Sequence, residues 1–119
     1  MAFRQLLAWK KGFEVSMDIF ELSKKFPIEE RYSLTDQIRR SSRSVCANIS
    51  EAYRKRRYPK HFISKLTDSD GENGETINWL EFALACRYIT KEEKIQAENK
   101  CNEVGKIINY MINNPSKFN

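Results

Sequence analysis

The chain has only three prolines, and Pro27, Pro59 and Pro115 each fall where a stretch of helical periodicity ends. Between them apolar residues recur every third or fourth position, with no two-residue alternation and no hairpin signal. Phe26-Pro27 ends a first helix because the residue before proline is steered away from the α region. Tyr58-Pro59 breaks a second helix and opens a third, since proline is tolerated at a first helical position. Asn113-Asn114-Pro115 closes a fourth helix, which begins at Thr90. With connectors of about two to eight residues, the simplest arrangement is all-α: an antiparallel up-down four-helix bundle, one domain over residues 1–119. No apolar run approaches the roughly 18 residues of a membrane span, and the amino-terminal stretch lacks the core of a secretion signal.

The first helix, expected over residues 6–25, carries two apolar rows. Ala8, Val15, Ile19, Leu22 and Phe26 form one; Leu6, Trp9, Phe13, Met17 and Phe20 form the other. One stripe suffices to bury a helix in a monomer, so the second row is expected to pack against another copy of the chain. The second helix opens at Ser33, with Asp36 as the partner in a capping-box-like pair, and buries Leu34, Ile38, Val45, Ile49 and Ala52. Ser41, Ser42, Ser44, Cys46 and Ala47 allow close helix approach. Asn48 and Glu51, three residues apart, read as a structural polar pair.

The third helix reads Phe62, Leu66, Ile77, Leu80, Leu84 and Tyr88. Residues 67–76 between them hold no large apolar residue, and Gly71 and Gly74 each weaken a helix by about 1 kcal/mol relative to alanine. Leu66 and Ile77 still share a helical face across eleven residues. We therefore expect one long helix with a weak centre, its glycines admitting a neighbouring backbone. An EF-hand begun at Asp68 fails, because Asn73 stands where glycine is required and Trp79 where the bidentate glutamate belongs. The fourth helix is capped by Thr90 with Glu93 and buries Ala97, Cys101, Val104, Ile108, Met111 and Ile112.

Residues 33–57 hold seven Arg or Lys against two acids, and the chain carries a formal charge of +5. Arg39, Arg40, Arg43, Arg54, Lys55, Arg56, Arg57 and Lys60 are the candidate contacts to nucleic-acid phosphates, with Tyr53, Tyr58 or His61 placed to stack on unpaired bases. The alternative is a scaffold whose basic face docks an acidic or nucleic-acid-bound protein. Catalytic chemistry is not expected: His61 is the only imidazole, no elbow motif surrounds a serine, and Cys46, Cys86 and Cys101 lie on helix faces without metal-ligand spacing. No metal or cofactor is implied, and an odd number of separated cysteines fits reduced thiols in the cytoplasm.

The run Leu34-Thr35-Asp36-Gln37-Ile38-Arg39-Arg40-Ser41, followed by Ser44-Val45-Cys46-Ala47-Asn48-Ile49-Ser50-Glu51-Ala52, resembles the signature of the 23S ribosomal RNA intervening-sequence protein family. Phe3, Leu6 and Trp9, Phe26-Pro27 with Glu30 and Tyr32, Gly71-Glu72, Glu75-Thr76 and Trp79-Leu80 extend the likeness along nearly the whole chain. Cys46 departs from it, standing where a small residue or proline is common. The resemblance implies a four-helix bundle similar in fold to accessory proteins of diversity-generating retroelements. It further implies a ring, expected to be a homopentamer, with a basic surface suited to RNA or DNA and no catalytic residues. The retroelement likeness keeps a partner enzyme such as a reverse transcriptase in view for the scaffold alternative.

Overall fold

The computed structural model describes residues 2–119. Among them are four α-helices and no strand: α1 (Leu7–Ser23), α2 (Leu34–Arg54), α3 (Pro59–Ala85) and α4 (Lys91–Asn113), with 3-10 turns at Phe3–Gln5, Ile28–Glu30 and Pro115–Lys117. α1 and α3 each pack closely on α2 and α4, while the backbones of the diagonal pairs stand farther apart. This is the closed square of an up-down bundle, 44 × 25 × 20 Å. The α1–α2 and α3–α4 connections share one end, where Phe26 packs on Tyr88 at 5.6 Å. The α2–α3 corner and both termini share the other, where Phe62 meets Phe118 at 5.9 Å and Phe3 and Arg54 line a common hollow.

The centre of α3 explains how a polar, glycine-containing stretch remains helical. Phe62, Leu66, Ser69, Asn73, Thr76, Leu80 and Ala83 are all buried, spaced alternately four and three residues apart. This is the heptad seam of a helix packed at a shallow angle, with polar side chains at three of its positions. Each has a partner. Ser69 Oγ donates to the Val45 carbonyl at 2.8 Å, Asn73 Nδ2 to the Cys101 carbonyl at 2.8 Å, and Thr76 Oγ1 lies 2.8 Å from Ser41 Oγ. Among the described residues no buried side-chain nitrogen or oxygen lacks a partner. Hydrogen bonds made in a low-dielectric interior therefore override weak local propensity. Ile77 and Leu84, expected on the core face, flank it as partly buried residues.

Gly71 and Gly74 are not the close-approach glycines that the sequence suggests, since a Cβ at either would enter open space. That role falls to Gly12 and Gly105. A Cβ on Gly12 would lie 3.1 Å from Cys46 Sγ, and one on Gly105 3.3 Å from Asn73 Nδ2. The small side chains let α1 settle on α2 and α4 on α3.

The caps differ in one respect from the sequence reading. Thr90 and Glu93 form the expected capping box. Ser33 does not cap α2 with its side chain and Asp36 does not reciprocate. Instead Glu30 Oε1 accepts from Ser33 Oγ at 2.6 Å and from the Leu34 N–H at 3.3 Å, and Glu30 Oε2 accepts from Tyr88 Oη at 2.8 Å. One carboxylate thus covers a helix start and ties the two connections at that end together. The hydrogen bonds from Ser33 and Tyr88 hold it below the usual carboxylate range.

α3 ends in a Schellman turn: the Tyr88 N–H reaches the Ala83 carbonyl and the Arg87 N–H the Leu84 carbonyl, both at 2.9 Å. Arg87 occupies the left-handed position at φ 64°. Glycine would hold it without strain, so Arg87→Gly should raise unfolding stability by about 1 kcal/mol, read from urea denaturation.

Candidate nucleic-acid interface

Ion pairs cross three of the four lateral seams of the bundle, α1–α4, α3–α4 and α2–α3. Lys100 Nζ lies 2.6 Å from Asp18 and 3.3 Å from Glu14, Lys11 lies 3.2 Å from Glu103, and Lys94 lies 2.6 Å from Glu81 and 3.0 Å from Glu98. Lys65 sits 3.0 Å from Glu51, which removes one of the two acids of α2 from the basic face. Asn48, expected to pair with Glu51, instead donates to the Ser44 carbonyl at 2.9 Å.

The structure divides the predicted phosphate contacts into three sets. Arg54, Lys55, Arg57 and Lys60 cluster at the α2–α3 corner, all exposed and with no ion pair among the described residues. Arg54 and Lys55 sit at the carboxyl end of α2, and Lys60 lies in the first turn of α3. Arg56 belongs to the same corner but is half-buried: its guanidinium lies 4.2 Å from the Tyr53 ring centroid and donates to the Tyr53 carbonyl at 2.9 Å. Tyr58 and His61 meet edge to face at 6.1 Å, with Tyr58 64% exposed.

The second set lines a shallow groove of about 520 Å³ along the outside of α2, between Arg31 and Ala47. Arg39 Nε donates to Ser23 Oγ at 2.7 Å and its guanidinium lies 4.9 Å from the Phe20 centroid; Arg43 lies 5.9 Å from the same ring. Phe20 thus fixes two planar cations side by side. Arg31, which the sequence reading did not select, joins them from the connector. Arg40 also borders this groove, but its pairing makes it a third set. Its guanidinium reaches Glu72 at 2.9 Å and Glu75 at 2.6 Å, and these hydrogen bonds, that to Glu72 foremost, hold its proton more tightly than usual. Its charge is matched within the protomer, so it joins α2 to α3.

The predicted self-association row is likewise divided. Leu6 is 4% exposed and belongs to the protomer's own core. It precedes the helix in extended conformation, at φ −66° and ψ 131°, so helical spacing does not predict its direction. Phe13 and Met17 are 47% and 44% exposed, with Leu7 also exposed. Trp9 is half-buried and stacked on Phe13 at 5.0 Å, and Phe20 lies half-buried beneath Arg39. The open ridge is Leu7, Phe13 and Met17, with Trp9 and Phe20 at its edges.

A second cleft, of about 420 Å³, lies at the opposite end of α2 from the basic corner. It runs between the start of α2 and the end of α3, and Tyr32, Trp79, Phe82 and Cys86 contribute to its walls. Sequence reasoning missed it because its walls come from a connector, a helix start and a helix end some fifty residues apart. The adjacent Arg31-Tyr32 pair, a cation beside an aromatic in a connector, was the available signal.

Among the described residues no group of three or more His, Cys, Asp or Glu side chains could hold a metal ion, and no helix is long and apolar enough to cross a membrane. Ser42 and Ser50 donate to carbonyls of their own helix, and Ser41 pairs with Thr76. Burial pushes the thiols of Cys46 and Cys101 up to about 12, whereas Cys86 is exposed. A thiol reagent such as DTNB should therefore titrate one cysteine in the native protein and three in denaturant, the two buried thiols reacting only as the bundle opens.

The family model for 23S rRNA-intervening sequence protein matches residues 4–110. A solved structure from Bacteroides thetaiotaomicron, described as a protein with unknown function from the S23 ribosomal protein family, is 32% identical. The match covers 89% of this chain and 98% of that one, with a TM-score of 0.81. No curated protein is similar enough to count as a relative.

Proposed function

The chain belongs to the 23S rRNA-intervening sequence protein family, and we propose that it is a non-enzymatic, self-associating cytoplasmic protein that binds RNA or another nucleic acid through the corner between α2 and α3. The observation that carries this reading is the contrast in charge pairing. Lysines along the seams face carboxylates, while Arg54, Lys55, Arg57 and Lys60 gather exposed with no ion pair among the described residues. A polyanion neutralises such a cluster and releases its own counterions in doing so.

The Leu7, Phe13 and Met17 ridge supports self-association, with a ring of five as the expected form. Symmetry would repeat the basic corner on every subunit, so modest contacts at each would sum on one long strand. Gel retardation of a structured RNA at low salt tests the binding, and no retardation there would contradict it. Native mass spectrometry tests the assembly: the wild-type chain should appear as an oligomer, and Phe13→Lys with Met17→Lys should convert it to a monomer. A protein that fails to retard RNA but retains an acidic protein partner on the same face would instead be a scaffold.

A further inference from the structure

We propose that the cleft between the start of α2 and the end of α3 receives an unpaired base of the bound strand, whose phosphates lie along the neighbouring arginine groove. This rests on the nucleic-acid reading above and names the strand as single rather than duplex.

The groove and the cleft flank the same first turns of α2, and two contacts join them. The Arg31 guanidinium, on the groove side, lies 5.4 Å from the centroid of the Tyr32 ring, on the cleft side. Arg40, also on the groove, binds Glu75, which accepts at 3.3 Å from Nε1 of Trp79, a residue of the cleft wall. A strand following Arg39 and Arg43 towards the start of α2 therefore arrives at an aromatic-lined opening. The basic corner lies at the other end of α2, about 30 Å away along 21 residues of helix.

The lining suits a base better than a phosphate. Tyr32 is 84% exposed, Phe82 is exposed and Trp79 half-buried, so three aromatic groups are available at one cleft. The side-chain amide of Gln37 makes no hydrogen bond among the described residues and offers both a donor and an acceptor to a base edge. Glu30, held ionised at the cleft, repels phosphate and leaves it on the arginine side. The volume lies in the range of small-molecule pockets. Aromatic stacking combined with a basic track is how proteins hold unpaired strands, whereas a base in a duplex must first leave its stack.

The test uses the full chain with a labelled unpaired oligonucleotide and a duplex of the same length at equal salt, read by fluorescence polarisation. The unpaired strand should bind more tightly, Tyr32→Ala should weaken it about tenfold, and duplex affinity should not change. In a Trp9→Phe background the remaining Trp79 emission should be quenched by the unpaired strand alone. Phe82→Ala, at an exposed position, should repeat the Tyr32→Ala result if that variant folds poorly. Equal binding of both strands with Tyr32→Ala and Phe82→Ala silent would overturn the base-cleft assignment and leave the basic corner standing. Binding of neither strand would overturn both readings. Dissociation of the free oligomer by Tyr32→Ala or Phe82→Ala would make the cleft a subunit contact and overturn the assignment.

Discussion

Replacing Arg54, Lys55, Arg57 and Lys60 together by glutamate is expected to lower RNA affinity several hundredfold at about 0.1 M salt while the bundle remains folded. Each phosphate contact to a single strand releases about 0.7 counterion. Four contacts therefore contribute a factor of about 600 between 1 M and 0.1 M salt. Reversal adds repulsion to this loss. Stability should change little, because the four side chains are exposed and have no ion pair to lose. The helix dipoles also oppose one another. Glutamate at Arg54 and Lys55, at the carboxyl end of α2, is unfavourable, while glutamate at Lys60, in the first turn of α3, is favourable, each by about 0.3–1 kcal/mol. One unfavourable contribution is left over, so the urea midpoint of the variant should fall, but by no more than about 1 kcal/mol of stability. Arg40→Glu makes an informative contrast, because it places a third carboxylate against Glu72 and Glu75 and should destabilise the fold more than it weakens binding.

Phe62→Ala is expected to be the most destabilising single truncation, costing about 3–5 kcal/mol in urea unfolding. The side chain is wholly buried and is the largest that is, and it stands at the start of the α3 seam beside the α2–α3 corner. Its ring also holds Phe118, which packs on Tyr110 at 6.4 Å and fixes the last 3-10 turn against the bundle. A domain of this length has a stability of only about 6–18 kcal/mol, so the loss is a large fraction of the whole. Phe118→Ala, at a half-buried position, should cost clearly less. Comparable losses for the two would mean that the terminal turn, rather than the seam, anchors this end.

The elements were legible because prolines mark their ends and apolar spacing marks their faces. Continuity of α3 across Gly71 and Gly74 followed from the spacing of Leu66 and Ile77, but its actual seam did not. Ser69, Asn73 and Thr76 are polar, and only their partners on α2 and α4 show that they point inward. Leu6 was misplaced by one element boundary, and the Ser33 cap by a carboxylate three residues upstream. The basic residues could be found by composition alone, yet composition could not separate Arg40, matched by two carboxylates, from Arg54 and Arg57 with no ion pair. Pairing is a property of what lies opposite, and Glu72 and Glu75 are more than thirty residues away in sequence.

The most direct test of the basic corner is the salt dependence of binding to an unpaired RNA of about ten nucleotides, short enough to occupy one subunit. For the wild-type protein, log affinity against log salt should be linear with a slope of about −3 or steeper. It should become shallower by nearly three when Arg54, Lys55, Arg57 and Lys60 are reversed. An unchanged slope in that variant, or no binding by the wild-type protein even at 50 mM salt, would contradict the account.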